Sequence, residues 1–314
     1  MYLTHTFELP PHLKKALKKA TFLEKVTVVY LISVIVVMFL VMGSSQAMKT
    51  AWLEDLLSIV PSIAFLVSTR IYNRPANKKF PYGYHRVFSI AFLTGSLALF
   101  GMGMFLIVDS SISLISGERP TIGSTMIFGK QIWLGWFMII ALLYSAIPAM
   151  ILGHKKQKPA KDLHNKILHT DATTQKADYM TAGTAILGII GVGYGLWWFD
   201  AIMAILISIS VIKDGYNNLT NAITDLMDRV PYKIGSQIVD PLLEEIEKTI
   251  AYWSWVEGFE IRFREHGQVY FGEIKVLTSE DNVEELITEG IKELKQLHWK
   301  IHDITIMQVK SLHP

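Results

Sequence analysis

Six apolar windows constrain this chain more than any other feature. They fall at 26–42, 51–71, 87–115, 132–152, 177–197 and 199–212. A hydrocarbon layer of about 30 Å is crossed by roughly 20 helical residues, so most of these windows are long enough to span a bilayer. The last is short and runs on into a polar stretch. A water-soluble helical protein does not place six such segments in succession with short charged connections between them. Hydrophobic residues make up 51% of the chain, charged residues 18%, and the mean hydropathy is +0.32. The fold class that follows is an α-helical membrane protein with six transmembrane helices, lodged in the lipid bilayer, and a separate domain after them.

Charge in the connections sets an orientation. Lys14, Lys15, Lys18, Lys19 and Lys25 precede the first window. Arg70, Arg74, Lys78, Lys79 and Arg86 follow the second, and Lys155, Lys156, Lys158, Lys161 and Lys166 follow the fourth. Lys49, Arg119 and Lys130 occupy the alternate loops, so fifteen positive charges oppose three. The positive-inside bias then puts both termini in the cytoplasm. The lysines before the first window precede a full-length span with no small-residue cleavage site, so that helix is expected to stay.

Composition changes near residue 231. Residues 1–230 carry 13 acidic and 21 basic side chains, whereas residues 231–314 carry 15 and 9. The division expected is a six-helix transmembrane domain over 1–230 and a cytosolic domain over 231–314. The second reads as helix over 236–251, strand over 256–264, a turn at His266-Gly267, strand over 269–278, helix over 283–297 and strand over 301–309. That order builds one α+β layer, a three-stranded sheet with two helices on one face. A domain this small is marginal alone, which favours pairing with a second copy, a homodimer. Cysteine is absent, so a disulfide framework and thiolate metal ligation are excluded.

Carboxylates inside the windows carry the functional signal. Each costs roughly 3 kcal/mol near a helix centre in lipid, and a transported cation is the usual compensation. Asp171, Thr174 and Asp178 fall at i, i+3 and i+7, which aligns them on one helical stripe. Glu54 and Ser58 are one turn apart, with Asp55 turned about 100° from Glu54. Pro61 removes the hydrogen bond to the Leu57 carbonyl and frees an oxygen beside them. The expected metal-ligating set is Glu54, Asp55, Ser58, Asp171, Thr174 and Asp178. Hard oxygen donors of this kind suit Mg, Mn, Fe(II), Ca or Co. At 1.5 Å per residue, Glu54 lies about 24 Å from the Arg70 end of its helix and Asp178 about 18 Å from Lys166. The two meet if the fifth helix begins before its apolar window, and 159–176 reads as helical. Asp109 and Asp200 fit ion or proton passage, and capping or interfacial solvation explains both nearly as well. For Asp171 a solvated first-turn residue or helix cap is an alternative, and for Asp178 an interhelical hydrogen bond without metal.

Several segments together resemble the cation diffusion facilitator (cation efflux) family. They are Thr170 to Asp178 (TDATTQKAD), Arg74-Pro75-Ala76 followed by Phe80-Pro81-Tyr82-Gly83-Tyr84-His85-Arg86, Phe199-Asp200-Ala201, and Leu226-Met227-Asp228-Arg229. The resemblance spans nearly the whole chain and implies six transmembrane helices, a cytosolic ferredoxin-like domain for dimerisation and regulation, and export of divalent metal cations in exchange for protons. The family's paired ligands fall at Glu54 with Ser58 and Thr174 with Asp178. Thr174 stands where many zinc carriers have histidine, which leans the metal toward Mn, Fe(II) or another hard cation. A second family site in the loop after helix two falls at Asn77, Phe80 and Tyr84 and is expected to be absent. The family's charge interlock between domains maps to Arg86 and Asp228. Its regulatory cytosolic metal leads to His266, His302 and Asp303, for which ordinary surface histidines are the alternative. The divalent ion is the substrate, no cofactor is implied, and nucleic acid is not a partner. The implied location is the plasma (inner) membrane of a prokaryote. Two readings stay open beside antiport by alternating access: a non-transporting metal-binding or scaffold member, and an intramembrane acid-dyad enzyme.

Overall fold

A computed structural model describes residues 9–312 apart from 118, 120, 121, 128, 129 and 281. Six long helices lead: α1 Pro11–Val41, α2 Gln46–Tyr72, α3 Val87–Ile115, α4 Gly135–Asp162, α5 Lys166–Gly193 and α6 Trp197–Leu226. Helices α1 to α4 each hold a window long and apolar enough to cross a membrane by length and composition. Charged residues interrupt α5 and α6, which match the first four in length. Phe39, Leu40, Ile90, Leu97, Val108, Ile140 and Ile147 are exposed on the bundle's outside. An apolar exterior of this kind is stable against lipid and not against water.

Several sequence boundaries shift for local reasons. The basic stretch before the first window is helical: Pro11 opens α1, where a missing N–H costs nothing. The lysines after the fourth window are helical too, since α4 runs on to Asp162 through Pro159. The stretch 159–176 is therefore not one helix. The chain turns at 163–165, where His164 has φ 46° and Asn165 caps α5 by accepting from the Leu168 N–H. Residues 132–133, expected to open a helix, instead belong to a hairpin of β1 Ser124–Ile127 and β2 Lys130–Trp133.

The tail holds α7 Leu242–Ala251, β3 Gly258–His266, β4 Val269–Leu277, α8 Glu284–Leu297 and β5 Ile301–Val309. Helix α7 begins six residues later than expected because Pro241 disfavours a helical conformation at Asp240; Asp240 instead accepts from the Leu242 N–H. Strand order is β3-β4-β5, antiparallel then parallel. Leu243, Ile246 and Ile250 of α7 and Leu294 of α8 bury with Phe263, Ile274 and Ile304 of the sheet. The β3–β4 turn follows His266, and Gly267 supplies φ +71° there.

Close backbone approach sets the helix packing. A Cβ on Gly215 of α6 would lie 2.6 Å from the Phe100 nitrogen of α3, and one on Gly103 of α3 would lie 3.0 Å from the Ile212 nitrogen of α6. Small residues let two transmembrane backbones meet this way. Because α3 and α6 run side by side, the start of α3 and the end of α6 arrive together beneath the tail.

Candidate metal centre and its relatives

Helices α2 and α5 form the seam that holds the acids. Thr181 of α5 donates to Glu54 Oε1 at 3.4 Å, and lower on the seam Ser62 donates to Asp171 Oδ1 at 3.4 Å. These two contacts fix the register of the seam, in which Asp178 lies about one turn before the Thr181 that meets Glu54. Glu54 Oε2 and Asp178 Oδ2 are both buried without a hydrogen-bond partner. The Asp178 carboxylate lies within electrostatic reach of Glu54, Asp55 and Asp171.

The remaining expected ligands separate into groups. Asp55, 6% exposed, faces α4 and accepts from Ser145 Oγ at 2.8 Å, with Tyr30 of α1 nearby. Ser58 Oγ donates to the Glu54 carbonyl at 3.1 Å, within its own helix. Ser58, Thr174 and Asn218 line a small cavity of about 30 Å³ between α2, α3, α5 and α6. That cavity shares Thr170, Thr174 and Asn218 with a vestibule of about 370 Å³ that reaches Lys233 and Ser236 at the tail junction. Asp171 is neither solvated nor a cap: it is 2% exposed and accepts from Lys156 Nζ at 2.6 Å. Among the described residues no three His, Asp or Glu side chains converge as a chelating group. The oxygen-donor character of the seam therefore rests on two carboxylates joined by hydroxyls.

Asp214 of α6 was missed from sequence and lies within electrostatic reach of Glu54. Its signal was faint, since it sits just past the short apolar window ending at 212. The two acids with divided readings have local roles. Asp200, fully buried, accepts from Ser45 Oγ at 2.8 Å and from the Gln46 and Ala47 N–H groups, so it satisfies the N-terminus of α2. Asp109 pairs with Lys49 at 2.8 Å.

Residues of the loop after α2 make their own turn. Asn77 donates to the Tyr84 hydroxyl at 2.8 Å and accepts from the Lys79 and Phe80 N–H groups. Below it, Arg86 meets Asp228 at 2.5 Å, because α3 and α6 are neighbours. Arg86 also donates to His266 Nε2 at 2.7 Å. Burial, with Arg86 and Arg264 adding to it, pulls the His266 pKa down to about 4. The His302 ring packs 4.5 Å from that of His85, and Asp303 is exposed. His266 and His302 both pack against the Phe271 ring at the tail junction.

These features define an integral membrane protein whose seam of buried oxygen donors crosses the helix bundle. The chain belongs to the cation efflux family, whose transmembrane-domain model matches residues 25–227. It is 25% identical over 235 residues to an uncharacterized transporter, YdbO of Bacillus subtilis, covering 72% of this chain and 75% of the relative. It is 23% identical over 187 residues to the manganese efflux system protein MneS of the same species, covering 59% and 60%. The cation-efflux pump FieF of Cronobacter sakazakii is 22% identical over 272 residues, covering 84% and 83%. Membership points to a transporter of metal cations rather than an enzyme.

Proposed function

We propose that this chain exports a hard divalent cation from the cytoplasm by alternating access, coupled to protons moving the other way, as a homodimer of six-span subunits with both termini cytoplasmic. Glu54 and Asp178 bind the ion, Thr174, Ser58 and Thr181 supply neighbouring oxygens, and Asp55, held by Ser145, supports the shell from the α4 side. Asp171 leaves the expected set because Lys156 already engages it. One observation carries the reading: two facing carboxylates each bury an oxygen with no partner. Such atoms cost free energy in an apolar interior unless a cation or proton meets them.

The vestibule gives the ion a route from the tail junction to Thr174, with Asp214 beside the path. Loss of the ion to the other side leaves carboxylates that bind protons, and protonated carboxylates hold metal weakly, which resets the carrier. The manganese efflux name of one relative, MneS, agrees with a site lacking imidazole and thiolate. The tail pairs two subunits and docks beneath the bundle through Arg86 and Asp228.

Flux in proteoliposomes is the test. Asp178→Asn should abolish Mn-driven proton movement while the protein stays folded and monodisperse; Mn flux at the wild-type rate in that variant would refute the assignment. Absence of metal-driven flux in the wild type, across Mn, Fe, Co, Zn, Cd and Mg, would instead favour a binding or scaffold role.

A further inference from the structure

The bundle contains a second carboxylate pair, and it already holds a cation. Lys156 Nζ of α4 donates to Glu24 Oε2 of α1 at 3.0 Å and to Asp171 Oδ2 of α5 at 2.6 Å. Glu24 and Lys156 are 0% exposed and Asp171 2%. Gln175 steadies Asp171 from the next turn at 3.2 Å, and Glu24 Oε1 is left buried without a partner. Three helices therefore deliver two carboxyl groups and one ammonium to a single dry point. Desolvating such groups is costly, so the arrangement is an expensive way to join helices that apolar packing would join as well.

Position gives the triad a role. Ser62 and Asp171 meet on the α2–α5 seam that carries Ser58, Thr174, Glu54 and Asp178 farther along. Asp171 also lines the small cavity that opens toward the vestibule. A cation moving along this seam reaches Asp171 before Asp178. Two hard oxygen ligands in that place would hold a divalent ion, and an ion held there would not proceed.

We propose that Lys156 is a tethered cation that fills the Glu24–Asp171 pair and bars the transported ion from it, confining the cargo to Glu54 and Asp178. A cation attached to the chain cannot leave, and its effective local concentration far exceeds that of free metal. The inference concerns a pair outside the proposed transport site: that Lys156 keeps a divalent ion out of the Glu24–Asp171 pair does not depend on Glu54 and Asp178, and only the confinement of the cargo to them rests on the proposed function.

The experiment uses the purified full-length chain in lipid nanodiscs with Mn(II) as the probe, in an Asp178→Asn background that removes the proposed cargo site. Adding Lys156→Met should create one new saturable Mn(II) site per chain by calorimetric titration. Adding Glu24→Gln to that double variant should remove the new site, and Lys156→Arg should not create one. If the double variant is unstable without metal, millimolar Mn(II) should restore its monodisperse elution and raise its Tm, and should do neither once Glu24→Gln is added. A folded double variant that gains no ion over Asp178→Asn alone overturns the proposal, as does an unstable one that Mn(II) does not rescue. Residual binding by Asp178→Asn alone counts against the transport assignment only, because the increment caused by Lys156→Met is what tests this one.

Discussion

At the scale of single residues, adjacent acids on one helix have different fates. Glu54 and Asp55 are neighbours in sequence, yet Glu54 turns toward α5 with an unpartnered oxygen while Asp55 is held by Ser145. Glu54→Gln should therefore eliminate measurable metal binding. Asp55→Asn should weaken it about 10- to 100-fold, the usual effect of disturbing a residue that supports a ligand. Equilibrium Mn(II) titration of the two variants in parallel decides this, and a reversed ranking would make Asp55 the direct ligand. In the proposed site Thr174 is the selectivity position. Thr174→His places imidazole one turn from Asp178, and the Zn(II)-over-Mn(II) affinity ratio should rise at least tenfold, because nitrogen ligation favours zinc. The acids on α2 and α5 were legible because a charge in an apolar window is conspicuous. Lys156 and Glu24 were not: each lies in a run containing other charges, Leu23-Glu24-Lys25 and Lys155 to Lys158, that reads as a solvated helix end. Only three-dimensional packing reveals them as fully buried.

At the scale of elements, the seam depends on how α5 and α6 are held. The window 87–115 coincides with α3, and 301–309 coincides with β5, because uninterrupted apolar or alternating patterns leave no choice of period. Boundaries failed where capping decided them. Asn165 starts α5 eleven residues before the apolar window at 177–197, and it is this polar first part of α5 that carries Asp171 and Thr174. The hairpin at 124–133 also escaped, since its strands are only four residues each. Contact between α3 and α6 was invisible in hydropathy, because a glycine lowers apolarity without announcing a partner. Gly215→Ala forces its methyl into the Phe100 backbone, which cannot yield as a flexible side chain would. The expected result is a loss of about 1–3 kcal/mol, typical of overpacking, read as a lower Tm in detergent. Gly183→Ala serves as the control, since nothing lies within 4 Å of its added Cβ; equal melting of the two would remove the packing argument.

At the scale of the whole molecule, the question is what couples the tail to the bundle. The side chains of Arg86 and Asp228 are each 39% exposed, so that pair alone contributes about 1 kcal/mol or less. A more buried linkage lies beside it. Lys166, at the start of α5, donates to Asp225 of α6 at 2.7 Å and to Glu265 of β3 at 2.9 Å. Despite burial, His164 and Lys166 hold the Glu265 carboxyl below its ordinary pKa. Exchanging Arg86 and Asp228 for each other's charge should restore what either single reversal loses, and Lys166→Met should uncouple the tail more severely than either, measured as hydrogen exchange in β3. Equal damage in the double and single reversals would sink the interlock. Acid should weaken the tail itself through Asp240. Burial opposes ionisation there, but Lys300 at 2.5 Å, Tyr270 at 2.7 Å and the Leu242 N–H outweigh it and bring the Asp240 pKa down to about 2. An unfolded chain leaves that carboxyl near 3.9, so folding depresses it, and the resulting stability of about 2 kcal/mol is fully present above pH 4. It disappears as pH falls from about 4 toward 2, where the folded carboxylate finally protonates. Asp240→Asn should lower the protection of β4 amides at neutral pH and abolish this component of the acid slope; an unchanged slope would mean that other carboxylates set the tail's acid limit.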